Sequence, residues 1–284
     1  MDQVNARRGL SLTDAVVLAT LTQANSGAWM PDSGHQSAFV TYDASPPDDL
    51  LRPISINAIS QSLGLPFETV RRRVRRLAQL GLCRNAPGGI VVIPAARVGF
   101  PGHHRELEAG YAALSALHAA LAQAGVVFEA PAPRQGEASP VRAAARLWSE
   151  YLLRVVVLAL AAFGDVVSAA IWFEVFRSNT ELDCRTACLG AEVDRQPVTA
   201  SQAARRLRLP IETTRRRLWD LAEMGSCVRA RRGFVVPDAA LERGAVIQLA
   251  AQNLLDLQRM YLRLAAVERQ PALRAMGSLG AGRD

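Results

Sequence analysis

The segment PFETVRRRVRRLAQLG, which begins at Pro66, has an echo, PIETTRRRLWDLAEMG, that begins 144 positions later at Pro210. The alignment runs without a gap from residues 53–94 to residues 197–238. It pairs Pro53 with Pro197, Leu65 and Pro66 with Leu209 and Pro210, and Glu68 and Thr69 with Glu212 and Thr213. It also pairs the arginines at 71–73 with those at 215–217, and Gly81, Cys83 and Gly89 with Gly225, Cys227 and Gly233. Both copies must reach the same local structure, and two copies this far apart read as tandem domains rather than as a stacked solenoid.

Within each copy the local signals come in a fixed order. Ser55 or Thr199 is placed to cap a short helix, INAISQSLG or ASQAARRLR, by accepting from its first free N–H groups. A tight turn follows, and Pro66 suits the first position of the next helix, where a missing N–H costs nothing. Val70, Val74, Leu77 and Leu80 recur at helical spacing and predict one apolar stripe, with Glu68, Arg72 and Arg75 on the opposite face. Gly81 is expected to end the helix. LCRNAPGGIVVIP then predicts a strand, a Pro-Gly-Gly tip and a second strand, with SCVRARRGFVVPD as its counterpart.

The flanks predict further helices. SLTDAVVLATLTQAN from Ser11 and GDVVSAAIWFEVFRSN near Asp165 precede the two copies. HRELEAGYAALSALHAALAQAG and DAALERGAVIQLAAQNLLDLQRMYLRLA follow them, the second read as one long helix, and another helix is expected over 141–163. The prolines and missing periodicity of APAPRQGEASP, 130–140, mark a linker. The expected domains are therefore 1–129 and 141–284, a division that 284 residues can support with one core each.

Charge narrows the partners. The net charge is +7 and the pI about 10.0, with every one of the 33 basic residues an arginine. Residues 53–94 carry six arginines against one glutamate, and residues 197–238 nine arginines against four acids, so each copy is at +5 and together they exceed the net charge of the whole chain. Positive charge gathered into the duplicated segments is the footprint expected of a surface that neutralises phosphates. Four scattered cysteines, Cys83, Cys184, Cys188 and Cys227, do not make a disulfide scaffold and fit a reducing, cytoplasmic location. The start of the chain is interrupted by Asp14, Thr20, Thr22 and Gln23 and is not read as a secretory signal. Gly164 and Asp165 split the apolar run 155–176 into pieces too short to cross a bilayer, so no membrane association is expected.

A short helix, a tight turn, the helix ETVRRRVRRLAQLGL and a strand–tip–strand unit resemble the winged helix-turn-helix of bacterial transcription regulators of the MarR, GntR and IclR types. Thr69, Val70, Arg72, Val74, Leu77 and Gly81 occupy the positions of the pattern T-V-x-R-x-h-x-x-L with its closing glycine. The resemblance implies a mainly α fold with small β-wings, two tandem winged helix-turn-helix domains, and sequence-specific binding of double-stranded DNA. Because regulators of this kind bind as dimers, the duplication implies an internal pseudo-dimer, acting as a monomer or as a homodimer, with the long helices holding the halves together.

In such a fold the start of the second helix enters the major groove. Thr69, Arg71 and Arg72 in copy one, and Thr213, Arg215 and Arg216 in copy two, are the candidate base readers. Arginine suits guanine because its forked donors match two acceptors on one base edge. Arg75 and Arg76 are expected nearer phosphate, and Arg73, at the margin of the apolar stripe, as a structural residue or a backbone clamp. Arg205 and Arg206 precede the second reading helix, and Arg231 and Arg232 occupy its wing tip. Trp219 and Asp220 replace Arg75 and Arg76, which makes copy one the expected main reader, with Trp219 packed against neighbours. No Gly-rich phosphate loop, nucleophile elbow or paired-carboxylate motif occurs, so neither catalysis nor a cofactor is expected. Cys184 and Cys188 lack a second ligand pair, and His35, His103, His104 and His118 lack an acidic cluster, so no metal is expected either. Cys83 and Cys227 are read as small buried side chains. An apolar pocket between 141–177 and the C-terminal helix could hold a small-molecule effector, with core packing the simpler use of those residues. A plasmid-type replication initiator and a protein-docking scaffold are the alternative readings.

Overall fold

The computed structural model describes residues 9–26, 50–93, 103–126, 128, 140–180 and 195–269. The proposed linker therefore falls outside the described residues except for Pro140, as do Cys184, Cys188 and His35. In chain order the elements are α1 (Leu12–Ser26), α2 (Ile56–Leu63), α3 (Phe67–Gln79), β1 (Cys83–Ala86), β2 (Gly89–Val92), α4 (His103–Gln123), α5 (Val141–Phe163), α6 (Val166–Thr180), α7 (Ala200–Leu207), α8 (Ile211–Glu223), β3 (Val228–Ala230), β4 (Gly233–Val235), α9 (Asp238–Leu241) and α10 (Gly244–Arg269). The protein is mainly helical, with two small antiparallel sheets among the described residues. It divides into two compact units, residues 14–154 with 255–284 and residues 1–13 with 155–254, the boundaries falling inside α1, α5 and α10.

Each unit contains one copy of the duplicated segment, and the two copies share their local construction. Ser55 caps α2 by accepting from the N–H of Ala58 at 3.1 Å. Thr199 caps α7 through a reciprocal box with Gln202. Pro66 and Pro210 stand at the N-cap, one position earlier than expected, and their carbonyls accept from Val70 and Thr214. Val70, Val74 and Leu77 form the buried stripe of α3; Thr214, Leu218 and Leu221 form that of α8. Leu80 does not continue the stripe: it is 46% exposed, because the helix stops at Gln79 and Gly81 swings the chain back at φ 69°. The N–H of Leu82 then bonds to the Leu77 carbonyl at 2.9 Å and that of Gly81 to Ala78 at 3.0 Å, a double closure that buries Leu82 where Leu80 was expected. Gly225 and Ser226 repeat it on α8.

The hairpins follow at once. Ala86 pairs with Gly89 around Pro87-Gly88, and Ala230 pairs with Gly233 around Arg231-Arg232. A third segment crosses each hairpin, Ile54 bridging Ile90 and Val198 bridging Phe234. The crossing explains Gly89 and Gly233: a Cβ on Gly89 would lie 2.4 Å from the Ile54 carbonyl oxygen, and one on Gly233 would lie 2.6 Å from the Val198 carbonyl.

In the second unit Phe163, Ile171, Trp172, Leu218, Leu221, Cys227, Phe234, Val246 and Leu249 share one core. In the first unit a core separate from the duplicated segment gathers Leu114, Phe128, Ala144, Leu147, Leu257, Met260, Tyr261 and Leu264, with the Tyr261 hydroxyl donating to the Leu114 carbonyl at 2.8 Å. The residues considered for an effector pocket thus serve as packing in each unit. The run 238–265 is not one helix: it breaks at Glu242 and Arg243, where α9 ends and Gly244 begins α10. No single described helix is long and apolar enough to cross a membrane, and the α5–α6 pair is bent by 94° at Gly164 and Asp165.

Candidate nucleic-acid interface

The exposed faces of α3 and α8 are set by what holds their opposite faces. In the first unit, Asn25 at the end of α1 is fully buried. Its amide donates to the carbonyls of Arg52 at 2.6 Å and Ile90 at 3.1 Å, and its oxygen accepts from the Val92 N–H at 2.7 Å. Asn179, near the end of α6, does the same work in the second unit, donating to Gln196 at 2.6 Å and accepting from Val236 at 2.9 Å. Sequence reasoning missed both clamps. They stand 27 and 17 residues before Arg52 and Gln196, so the gapless alignment of the copies does not bring them together.

The third arginine of each triplet turns inward. Arg73 approaches Asp14 at 3.4 Å, which ties α3 to the start of α1, and Arg217 approaches Asp165 at 3.3 Å, which ties α8 to the start of α6. Of the two readings of Arg73, this contact fits the structural one. Asp14 is fully buried and also holds Arg76 at 3.5 Å, while Asp220 leans on Arg217 at 3.4 Å. Arg76 is thus engaged by the protein, though its side chain stays 51% exposed. Arg206 is similarly engaged, by Glu174 at 3.0 Å and Ser178 at 2.6 Å. Burial alone would raise the Glu174 carboxyl, but hydrogen bonds from Arg177, Arg206 and Ser178 outweigh it and hold the group below its ordinary value.

The outward faces differ from these inner ones. Arg71 and Arg215 pair with the glutamates one turn earlier, Glu68 at 2.8 Å and Glu212 at 2.6 Å, in exposed bridges worth about 0.2–0.5 kcal/mol. The side chains of Arg72, Arg75 and Arg216 are exposed and form no ion pair or hydrogen bond among the described residues, and the same holds for those of Arg205, Arg231 and Arg232. Thr69 and Thr213 are half-buried at the start of their helices. Trp219 packs against neighbours as expected, edge-on to Phe234 and with the Arg229 guanidinium over one face 5.0 Å from the ring centre, yet it stays 41% exposed.

The remaining candidates for chemistry are inert or bland. Burial pushes the Cys83 thiol up to about 11 and the Cys227 thiol to about 12, and each donates weakly to a carbonyl of the preceding helix, Val74 and Leu218. No cluster of three potential metal ligands occurs among the described residues. The α7–α8 turn carries the one positive-φ residue other than glycine among those described, Arg208 at φ 54°, where copy one has Gly64. Comparison of the chain with protein-family models, curated proteins and solved structures found no match.

Proposed function

We propose that this chain is a sequence-specific double-stranded DNA-binding transcription regulator, in which each copy acts as a winged helix-turn-helix and the two together work as an internal pseudo-dimer. One observation carries the reading: Arg72 and Arg216, equivalent in the two copies, both stand exposed on the outer face of a helix without a protein carboxylate to neutralise them among the described residues. A helix that keeps unneutralised guanidinium groups outward, beside threonine and a second arginine, has the donors that phosphates and guanine edges accept. The hairpin tip of the second copy, with Arg231 and Arg232, adds cations suited to the DNA backbone. Arg76 and Arg206 contribute less than their charges suggest, because Asp14 and Glu174 already hold them.

Selection of bound fragments from random duplex DNA, followed by footprinting of the enriched sequence, tests the reading. The expected result is an imperfect palindrome with two protected segments about one helical turn, ~34 Å, apart for each chain. Failure to enrich any duplex would remove the proposal, and a single short protected half-site per chain would remove its pseudo-dimer part.

A further inference from the structure

We propose that Trp219 is a specificity-determining residue that reads the 5-methyl group of thymine. This rests on the reading of α8 as a groove-entering helix. Trp219 lies one turn beyond Arg215 and three residues beyond Arg216. With both, and with Glu212, Thr213 and Asp220, it lines an open depression of about 500 Å³ on the outer face of α8. An indole destined only for packing would be covered, but this one is 41% exposed. Nor is it loose. Arg229 of β3 sits over one face of the ring, and Phe234 of β4 meets it at 87° with centroids 5.7 Å apart, so the hairpin holds the ring in one orientation.

A fixed, neutral, apolar surface on a groove-facing helix has few partners there. Its Nε1–H is the one polar group, which a phosphate oxygen could accept, but the ring faces are apolar; the edges of G, C and A present donors and acceptors, and the thymine methyl is the apolar group on the major-groove edge. Asp220 does not spoil the site, because its carboxylate is drawn to Arg217. In the first copy the equivalent position is Arg75, exposed and without a partner among the described residues, which suits a charged acceptor instead.

The test uses the full chain and a duplex selected by it, with each thymine replaced in turn by deoxyuridine, which removes only the methyl group. Fluorescence anisotropy should show about fourfold weaker binding at one thymine in the segment bound by the second copy, the value expected for exposing one buried methyl. Trp219→Ala should bind the thymine and deoxyuridine duplexes equally, whereas Trp219→Phe should keep part of the difference. Trp219→Arg, which introduces the first copy's residue at this position, should also abolish it. The wild-type measurement needs no variant to fold. Sequence-specific binding that is indifferent to every methyl, or discrimination that survives in Trp219→Ala, would overturn this inference alone. Absence of any duplex binding would overturn it together with the proposed function.

Discussion

The side-chain oxygen of Asn25 accepts the main-chain N–H of Val92 at 2.7 Å, fastening the end of one helix to a hairpin strand that lies 67 residues further along the chain. Its amide satisfies two carbonyls on neighbouring segments, so one buried side chain closes three backbone groups. Asn25→Ala should leave the Val92 N–H buried and unpaired, whereas the Ile90 carbonyl keeps the Ile54 N–H at 3.1 Å, so the cost should be about 1–3 kcal/mol. Asn179→Ala should act in the same direction in the second unit. Urea unfolding checks this as a lower midpoint at unchanged slope.

The crossing of the hairpins makes a sharper claim about glycine. Gly89→Ala or Gly233→Ala sets a Cβ against main-chain atoms of Ile54 or Val198 that cannot move aside as a side-chain tip could. Each should lose at least about 2 kcal/mol. Arg208→Gly should do the reverse, gaining roughly 0.5–1 kcal/mol by relieving a left-handed conformation at φ 54°. Thermal melting of the three variants separates the two directions.

Glu174 should leave a signature in acid. Its folded carboxyl titrates below the ordinary value of 4.5, so its contribution to stability is fully present above about that pH and is lost as pH falls through the folded value. Glu174→Gln should flatten the stability profile below pH 4.5 relative to the wild type while lowering stability at neutral pH. A profile that keeps its full acid limb would show that the Arg177–Glu174–Arg206 group contributes nothing there.

Cys83 and Cys227, with thiols raised to about 11 and 12, should resist alkylation at neutral pH until the protein unfolds. Peptide mapping after iodoacetamide treatment, with and without denaturant, identifies the protected sites. Rapid labelling of either in the native protein would contradict the buried position that both share.

Much of α3 and α8 is legible in the chain because punctuation and period agree. Pro66 and Pro210 open them, Gly81 and Gly225 close them, and buried residues recur at helical spacing between. The hairpins are legible from Pro87-Gly88 and from the glycines that the crossing segments demand. Partnerships between distant residues are not. Asn25 and Asn179 look like ordinary polar residues near a helix end, since their backbone partners lie far away in the chain. Arg76 reads as a phosphate ligand because Asp14, which holds it, is 62 positions before it and buried. Leu80 matches the apolar period, but the helix ends first. Trp219 looks like packing because large aromatic residues usually are, and only the placement of Arg229 and Phe234 leaves part of its ring outward.

The most direct measurement is the salt dependence of duplex binding by the intact chain, compared with Arg72→Ala and Arg216→Ala, two exposed arginines without protein partners among the described residues. If both helices meet DNA, affinity should fall steeply with salt in the wild type. Arg72→Ala, as the main base reader, should cost about 1–3 kcal/mol and relax preference at one base pair. The double substitution Arg231→Ala with Arg232→Ala should instead weaken all sequences alike and reduce the slope by about 0.9 for each phosphate no longer neutralised. A chain with no salt-dependent affinity for duplex DNA, or one whose affinity and slope are unchanged by every one of these substitutions, would contradict the account.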